Sequence, residues 1–287
     1  MTSHLFCFGL GYSATFLARQ LVATGWRVTG TCRSRDHQVD LSRLGVEAHL
    51  FDRDRPLGNL PELLSAATHL LSSVPPDEHG DPVLGVHRAQ IDAAAPGLAW
   101  IGYLSTTGVY GNRDGGWVDE MSALQPTGER GRRRVAAEQE WLALRQPAHL
   151  FRLAGIYGPG SSPLDTMREG RAQRIVKPGQ IFSRIHVADI AQVLQASMAR
   201  PHPGAAYNVC DDDPAPPSDV IAFAAALLNR QPPPEVPFEE AALSPMARSF
   251  YADNKRVSNS RIKRELGVAL HYPSYRVGLP AILAAGG

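Results

Sequence analysis

Cysteine, net charge of one sign and long apolar runs are all scarce in this sequence. Three cysteines occur, with no CxxC pair and no metal-ligand spacing, so we expect buried reduced thiols and no metal site. The formal net charge of +1 gives no overall field to recruit nucleic acid or an anionic membrane. No run approaches the ~18 apolar residues of a membrane span, and the N-terminal stretch LFCFGLG lacks the basic segment of a signal peptide. We therefore expect a cytoplasmic protein without nucleic-acid or membrane partners.

The apolar residues that are present, 44% of 287, suffice for a sizeable core. Over the first two thirds of the chain, short apolar runs alternate with longer amphipathic stretches, which is typical of parallel βαβ units. The predicted strands are His4–Phe8, Arg27–Thr31, Ala48–Phe51, His69–Ser73, Trp100–Ser105, His149–Arg152 and Ala206–Val209. The predicted helices include Ser13–Thr24, Val83–Ala95, Arg132–Leu144 and Asp219–Leu228.

The first predicted strand runs into a glycine-rich loop, Gly9-Leu10-Gly11-Tyr12-Ser13-Ala14, and an amphipathic helix follows at once. In such a loop the first glycine permits a tight turn, and the second lets the backbone approach a pyrophosphate. A small third residue allows close packing of helix on strand, and the helix N-terminus supplies N–H groups. A GxGxxA pattern alone is weak, but its place between a strand and a helix predicts dinucleotide binding. The binding residues we expect in this loop are Gly9, Gly11, Tyr12 and Ser13.

The second strand indicates which dinucleotide to expect. An acidic residue after this strand would hold a ribose 2′-hydroxyl, whereas arginine suits a 2′-phosphate. Here Arg33, Ser34 and Arg35 follow the strand, which favours NADP. Asp36 keeps NAD as the alternative. After the third and fourth strands, the residues expected to line the cofactor are Asp52, Ser73, Val74 and Pro75.

Together these patterns predict an α/β fold, a Rossmann-type doubly wound parallel sheet with a smaller C-terminal substrate lobe. The pattern changes after Tyr157, where GPGSSP predicts a loop and prolines become frequent. We expect the dinucleotide-binding domain to span residues 1–160, with 184–210 returning to it. The lobe would then comprise residues 161–183 and 211–287.

Four later stretches complete a family pattern: WIGYLSTTGVYG, FRLAGIYGPG, FSRIHVADIAQVL and AAYNVCDDDP. In their order and spacing, over nearly the whole chain, they resemble the extended short-chain dehydrogenase/reductase superfamily, in its NAD-dependent epimerase/dehydratase branch. The resemblance implies a Rossmann domain and a substrate lobe that usually accepts nucleotide sugars. Members of the family often form a homodimer through two long helices, which here are Val83–Ala95 and Arg132–Leu144. Burial within the fold would explain the apolar residues of these helices equally well.

The family's catalytic residues are matched only in part. The family carries a Ser or Thr three residues before its VYG motif, and Thr106 matches this position. It also carries Tyr-x-x-x-Lys on the next long helix, with a glutamate four residues after the lysine. Glu138 matches the glutamate, which puts Arg134 in the lysine position and Arg130 in the tyrosine position. The sequence therefore resembles atypical members that lack the pair.

Arginine changes what these two positions can do. It stays protonated at any working pH, so Arg130 cannot exchange a proton as tyrosine does, although it can bind an anion. Arg134 could still hold the ribose or pyrophosphate as a cation. The alternative is a solvated helix face, with an i, i+4 ion pair between Arg134 and Glu138. For Arg132 and Arg133 we prefer the solvated face.

The sequence leaves the proton donor open. The catalytic candidates are Thr106, Arg130, Arg134 and Tyr157. A packing role is favoured for Tyr157, and structural hydrogen bonding is favoured for His186. The candidates for substrate binding are Glu120, which lies ahead of the long helix, and Arg184, which suits an anionic group.

Two functions follow from these features. The first is an NADP-dependent oxidoreductase or epimerase with atypical acid/base residues, acting on a nucleotide-sugar-like or other anionic small molecule with a carbonyl or hydroxyl group. The alternative is a catalytically inactive NADP(H)-binding sensor or scaffold. We favour the enzyme, because hydride chemistry belongs to the cofactor and survives the loss of one proton route.

Overall fold

The predicted strands form one parallel sheet in the computed structural model, which describes residues 3–286. Each of the seven forms within one residue of its expected ends. The strands are β1 (His4–Phe8), β2 (Arg27–Cys32), β3 (Glu47–Leu50), β4 (His69–Ser72), β5 (Trp100–Thr106), β6 (Trp117–Val118), β7 (His149–Leu153), β8 (Gly155–Tyr157), β9 (Arg174–Val176), β10 (Arg184–His186), β11 (Ala206–Val209), β12 (Glu235–Pro237) and β13 (Arg256–Val257).

The helices follow the predicted amphipathic stretches. They are α1 (Tyr12–Ala23), α2 (Arg35–Arg43), α3 (Leu60–Ser65), α4 (Pro82–Ala94), α5 (Glu129–Leu142), α6 (Pro163–Arg168), α7 (Val187–Ala199), α8 (Pro217–Leu227), α9 (Pro245–Phe250), α10 (Ser260–Leu266) and α11 (Tyr275–Ala284). Short 3-10 turns cover Ala95–Gly97 and Thr107–Tyr110.

The strand order in the large sheet is β3-β2-β1-β4-β5-β7-β11. Strand β1 pairs in parallel with β2 on one side and with β4 on the other, so Leu5 lies opposite both Val28 and His69. The chain therefore adds strands first on one side of β1, with β2 and β3, and then on the other side, beginning with β4. In open α/β sheets, the crevice for a ligand lies at the carboxyl ends of the strands where the order reverses. The predicted Rossmann-type fold class is confirmed.

The sheet is buried because helices cover it, and β1 shows the result. All five residues of β1 are buried, as expected for a central parallel strand. Phe6 and Phe8 face a core cluster that includes Leu64 of α3, Val83 of α4 and Trp141 of α5. Full burial of a large apolar side chain stabilises the fold by about 1.5–3 kcal/mol.

The chain divides into two units. Unit 1 comprises residues 3–106, 129–152 and 190–207, and unit 2 comprises 107–128, 153–189 and 208–286. Unit 1 holds the sheet edge that the glycine loop occupies.

The expected domain boundaries differ from this division. Residues 107–128, 153–160, 184–189 and 208–210 belong to unit 2, because short strands pair there. Strand β6 pairs with β13, and β8 pairs with β10. The N–H groups of Arg113 and Gly115 also donate to the carbonyl of Asn254 at 2.9 and 3.0 Å.

Unit 2 has two apolar cores of its own. The larger contains Tyr157, Leu164 and Met167 together with residues of α8 and α11. The smaller contains Ile175, Ala241 and Tyr251. Three two-stranded sheets, β10-β8, β12-β9 and β13-β6, are described in this unit.

Candidate functional site

The loop between β1 and α1 turns sharply at Gly9. The φ angle of Gly9 is +80°, and a Cβ added there would lie 2.9 Å from Cγ2 of Val74 and 3.1 Å from Oγ of Ser73. The N–H of Gly9 donates to Oγ1 of Thr31 at 2.8 Å. Its carbonyl accepts hydrogen bonds from the Ser73 hydroxyl and from the N–H of Gly11. A side chain at Gly9 would strain this turn.

The loop opens beyond the turn, at Gly11. A Cβ added to Gly11 meets no atom of residues 3–286 within 4 Å, and Gly11, the N-cap residue of α1, has no side chain with which to cap the first turn. The N–H groups of a first helical turn have no intrahelical acceptor, so they attract anions. Tyr12 is exposed there, whereas Ser13 is buried. Residues 9–13 thus form an open turn that leads directly into the N-terminus of a helix.

The carboxyl end of β2 presents an arginine to solvent. The side chain of Arg33 is exposed and forms no ion pair with any residue of the described range 3–286. Ser34 caps α2, because its Oγ accepts the N–H of His37 at 3.3 Å. Asp36, in the first turn of α2, is also exposed.

An arginine–aspartate pair links the carboxyl ends of β3 and β4. Nε and Nη2 of Arg53 donate to the two carboxylate oxygens of Asp77 at 3.0 and 2.8 Å, and these hydrogen bonds hold the pKa of Asp77 below its usual range. Asp52 is half-exposed, and its carboxylate accepts from Nη2 of Arg55 at 2.7 Å. The segment 73–75 follows β4 and contacts the glycine turn through its first residue.

Helix α5 holds Arg134 against the carboxyl end of β5. Nη1 of Arg134 donates to the hydroxyl of Tyr103 at 3.0 Å and to the carbonyl of Leu104 at 2.6 Å. The ring of Tyr103 stacks on Trp141 with centroids 5.6 Å apart, and Nε1 of Trp141 donates to Asp81 at 2.9 Å. Burial raises the pKa of Tyr103. These contacts fix the Arg134 guanidinium at the carboxyl end of β5, and burial keeps the Tyr103 hydroxyl protonated.

Glu138 does not form the i, i+4 pair with Arg134 that its spacing allows. It turns into the core of unit 1 and pairs with Arg152 of β7 at 2.8 Å, with 2% of the Glu138 side chain and 6% of the Arg152 side chain exposed. The hydroxyl of Ser105 also donates to Glu138, at 2.5 Å. A buried carboxylate needs such partners, which explains why Glu138 leaves Arg134 to other contacts.

The remaining arginines of α5 lie on its surface. Arg132 and Arg133 pair with Glu129 at 2.9 and 3.4 Å, as expected of a solvated helix face. Such exposed pairs contribute little to the stability of the fold, because water screens their charges. Arg130 is exposed, and Thr106 is half-buried at the end of β5.

In unit 2, Tyr157 lies in an apolar core. It is 5% exposed, its hydroxyl donates to the carbonyl of Ser274 at 3.4 Å, and burial raises its pKa. Its ring packs edge-on against His186 and also covers Gly278 of α11. Nδ1 of His186 accepts the N–H of Ala188 at 3.2 Å, and burial lowers the pKa of this histidine to about 4. These contacts are those of packing and structural hydrogen bonding.

The two proposed substrate-binding residues also make contacts within unit 2. Nη1 of Arg184 donates to the carbonyls of Phe182 and Ala215 at 2.8 and 3.0 Å. The carboxylate of Glu120 accepts the N–H of Asn208 at 2.7 Å, and burial raises its pKa.

An open cavity of about 460 Å³ also lies in unit 2. Its lining mixes carboxylates, hydroxyls and one exposed tryptophan, and it consists of Trp117, Val118, Asp119, Ser122, Asp211, Asp212, Val257, Ser258, Asn259 and Ser260.

Comparison with known proteins shows which proteins are related to this chain. No protein-family model matches the chain. The structure of a conserved protein of unknown function from Silicibacter pomeroyi DSS superposes with a TM-score of 0.93 at 56% sequence identity, covering 99% of each chain. The two proteins belong to one family.

Two more distant relatives follow, one of which carries a functional name. A structure of a proposed NAD-dependent epimerase/dehydratase from Methylobacillus flagellatus has a TM-score of 0.78 at 27% identity, covering 100% of this chain and 99% of that one. Protein YeeZ of Escherichia coli (strain K12) is 29% identical over 284 residues, which cover 92% of this chain and 94% of YeeZ. The epimerase/dehydratase likeness agrees with the motifs found in the sequence.

The fold extends to well-separated sequences. The dTDP-glucose 4,6-dehydratase of Bacillus anthracis str. Ames, solved in complex with NAD, has a TM-score of 0.78 at 14% identity, covering 99% of this chain and 96% of that one. At this identity the likeness shows the fold alone.

Residues 3–286 contain neither a membrane-spanning helix nor a metal-binding cluster. Within residues 3–286, no helix combines the length and the apolar character that crossing a membrane requires. In the same range, no three side chains of His, Cys, Asp or Glu group as a metal ion would need.

Several residues at the sheet edge were not identified from the sequence. Thr31, which accepts a hydrogen bond from the glycine turn, is the last residue of a predicted strand. The alternation of side chains along that strand is the one sequence feature that could have identified it. Arg53 and Arg55 follow Asp52 closely, but a local pattern does not show which strand ends they join. Tyr103 lies in the middle of a buried strand and gave no signal.

Asp211 provides a test by pH. Burial raises the pKa of its carboxyl to about 8, and Oδ2 has no hydrogen-bond partner among residues 3–286. In the unfolded chain an aspartate titrates near 3.9, so the folded state binds this proton more tightly. The free energy of unfolding should therefore fall as pH rises from about 4 to about 8, by at most about 5 kcal/mol, and then level off.

The isosteric variant isolates this effect. Asp211→Asn should be more stable than the wild type at pH 8 and close to it at pH 4, as measured by urea unfolding across pH. Asp54→Asn, at an exposed aspartate of unit 1, serves as the control. If Asp211→Asn kept the wild-type pH dependence, another group would be responsible.

Proposed function

We propose that this protein binds NADP and catalyses oxidation–reduction or epimerisation at a hydroxyl or carbonyl carbon of an anionic substrate, such as a nucleotide sugar. The observation that carries the proposal is the open space beside Gly11, at the N-terminus of a 12-residue helix. A pyrophosphate fits such a loop, because the backbone can approach it and the helix N–H groups face it. The B. anthracis enzyme with this fold contains NAD, which supports a nicotinamide dinucleotide here.

The residues that would hold the dinucleotide all belong to unit 1. The loop 9–13 would bind the pyrophosphate, and Arg33 with Ser34 would meet the 2′-phosphate. Asp52 would lie on the adenine side. Segment 73–75 and Arg134 would line the remainder, with Arg134 held in place by Tyr103 and Leu104. When bound, the cofactor supplies hydride transfer.

The chain's own residues then bind the substrate and stabilise charge. Thr106 would hydrogen-bond a substrate oxygen from the end of β5. Arg130 and Arg134 stay protonated, so they would stabilise an anionic group or a developing oxyanion and would not act as general acids. Glu120 and Arg184 belong to unit 2 and stay the proposed substrate-binding residues. Burial raises the pKa of Glu120, so its carboxyl keeps a proton to a higher pH than usual.

The burial of Tyr157 bears on the choice of proton donor. A general acid must reach the substrate within hydrogen-bond distance. The hydroxyl of Tyr157 is engaged with Ser274, and its ring is packed against His186, which favours a packing role. We therefore propose a packing role for Tyr157 and a proton route that does not use it.

Cofactor titration tests the proposal. Purified, cofactor-free protein should quench or enhance NADPH fluorescence on binding and should bind NADH more weakly. Arg33→Ala should weaken NADPH binding about tenfold and leave NADH binding unchanged, because it removes a charge-assisted contact to the 2′-phosphate alone.

A matched variant controls for charge. Arg43→Ala removes an exposed arginine at the other end of α2, where Arg43 pairs with Asp40, and should leave both affinities unchanged. Equal NADPH affinity in Arg33→Ala and the wild type would overturn the NADP assignment.

A second function is favoured by the substitution at residue 130. Arg130, which cannot exchange a proton at a working pH, occupies the expected tyrosine position, and Arg134 is tied to the protein by two hydrogen bonds. A non-catalytic NADP(H)-binding sensor or scaffold would retain the loop without the acid/base pair. Turnover of bound NADPH with any member of a carbonyl and nucleotide-sugar panel would exclude this alternative.

A further inference from the structure

Arg55 contacts the carboxyl end of β2, 22 residues away in the sequence. Its Nη2 donates to the backbone carbonyl of Arg33 at 3.2 Å and to Oδ2 of Asp52 at 2.7 Å. The backbone of residues 52–55 forms a tight turn, in which the N–H of Arg55 donates to the carbonyl of Asp52 at 3.1 Å. Both the backbone and the guanidinium of Arg55 are therefore held at this strand end.

The rest of the Arg55 guanidinium is open. Its Nε and Nη1 make no hydrogen bond with any residue in the described range, and 45% of the side chain is exposed. The guanidinium of Arg33 is likewise without an ion pair in this part of the chain. Two arginine side chains are thus found at the carboxyl end of β2: that of Arg33, and that of Arg55, which donates to the Arg33 carbonyl.

Two guanidinium groups at one place suit a phosphate dianion. Phosphate has several acceptor oxygens, and an arginine fork donates to two of them at once. Asp52 would repel a phosphate, but its carboxylate already accepts from Arg55 and from the N–H of Asp54 at 3.1 Å. The ion pair with Asp52 uses Nη2 of Arg55 and leaves Nε and Nη1 available to donate to a phosphate.

We propose that Arg55 is a second specificity-determining residue for the 2′-phosphate of NADP, acting together with Arg33. This inference rests on the proposed function, since it concerns the same cofactor. It predicts that selectivity for a 2′-phosphate depends on a residue from the β3 end as well as on the one after β2.

The test uses two probes that differ only in the 2′-phosphate: adenosine 2′,5′-bisphosphate and adenosine 5′-monophosphate. Calorimetric titration of the full-length protein should show a preference of about 100-fold for the bisphosphate, as expected of two charge-assisted arginine contacts. Arg55→Gln should reduce this preference about tenfold and leave the affinity for the monophosphate unchanged. Arg55→Lys, which keeps the charge but loses the fork, should fall between the two.

A control at the opposite end of the same strand matches the change. Arg27, at the amino end of β2, pairs with Glu47 at 2.8 Å and is 55% exposed, so Arg27→Gln breaks a comparable ion pair away from the proposed site. It should keep the full preference. Thermal unfolding of all three variants shows whether the fold is retained.

The outcomes separate the two proposals. Binding of neither probe would overturn the proposed nucleotide-binding function. Equal binding of both probes by the wild type would overturn NADP selectivity, and the role of Arg55 with it. If Arg55→Gln kept the preference for the bisphosphate as fully as Arg27→Gln does, only the role of Arg55 would be overturned.

Discussion

Replacing Gly11 with valine is expected to lower the affinity for NADPH at least about 100-fold, which is about 2.8 kcal/mol of binding free energy. The valine side chain would project into the open space beside the first turn of α1, where the pyrophosphate would lie. The fold itself should tolerate the change, because a Cβ at Gly11 meets no protein atom within 4 Å. Valine is a weaker N-cap residue than glycine, so we expect a loss of about 1 kcal/mol of stability at most.

Because the variant should lose affinity for NADPH and keep most of its stability, the two quantities can be measured separately. Fluorescence titration gives the NADPH affinity, and urea unfolding gives the free energy of unfolding of the same preparation. Gly58→Val is the matched control, since a Cβ at Gly58 also meets no atom within 4 Å and the residue is exposed in unit 1. It should change neither quantity. Wild-type affinity in Gly11→Val would mean that the loop does not bind the pyrophosphate.

Arg152→Leu is expected to destabilise the protein by about 3–5 kcal/mol, because it leaves a buried carboxylate without its counter-charge. Arg152 and Glu138 lie 2.8 Å apart with almost no exposed surface, so water cannot replace the lost partner. The hydroxyl of Ser105 would remain as a donor, at 2.5 Å, but a single neutral hydrogen bond does not offset a buried charge. Urea unfolding at pH 7 measures the loss.

A double variant distinguishes the unpaired charge from lost packing. Glu138→Leu combined with Arg152→Leu removes both charges and should recover more than half of the lost stability, since an apolar pair is often as stable as a buried ion pair. Additive losses in the two single variants and the double variant would show that the ion pair contributes no coupling. The exposed pair of Arg132 with Glu129 offers a comparison, because water screens it and Arg132→Leu should cost far less stability than Arg152→Leu.

Local patterns predicted the framework of this protein. Central parallel strands such as β1 are buried on both faces, so they appear in the sequence as short apolar runs with defined ends. The turn at Gly9 could be predicted for a similar reason, since the conformation with φ of +80° is one that glycine adopts without strain. In both cases the cause lies within a few neighbouring residues.

Pairings between distant residues could not be predicted in the same way. The i, i+4 spacing of Arg134 and Glu138 permits an ion pair on an exposed helix, and nothing local shows that Glu138 faces the core. The structure pairs it with Arg152, because β7 brings that residue beneath α5. Arg134 is then left to Tyr103 and Leu104, two residues of a strand that precedes the helix.

The sequence by itself determined the strands, the long helices, the glycine loop and the exposed arginine after β2, because each depends on residue types and spacings along a short stretch. Only the tertiary structure decided which side chains meet at the sheet edge. Arg55 reaches the carbonyl of Arg33 because β2 and β3 pair side by side, and Glu138 reaches Arg152 because a helix packs on a strand. Parallel pairing joins residues that are far apart in the chain, so these contacts follow from sheet order rather than from local spacing.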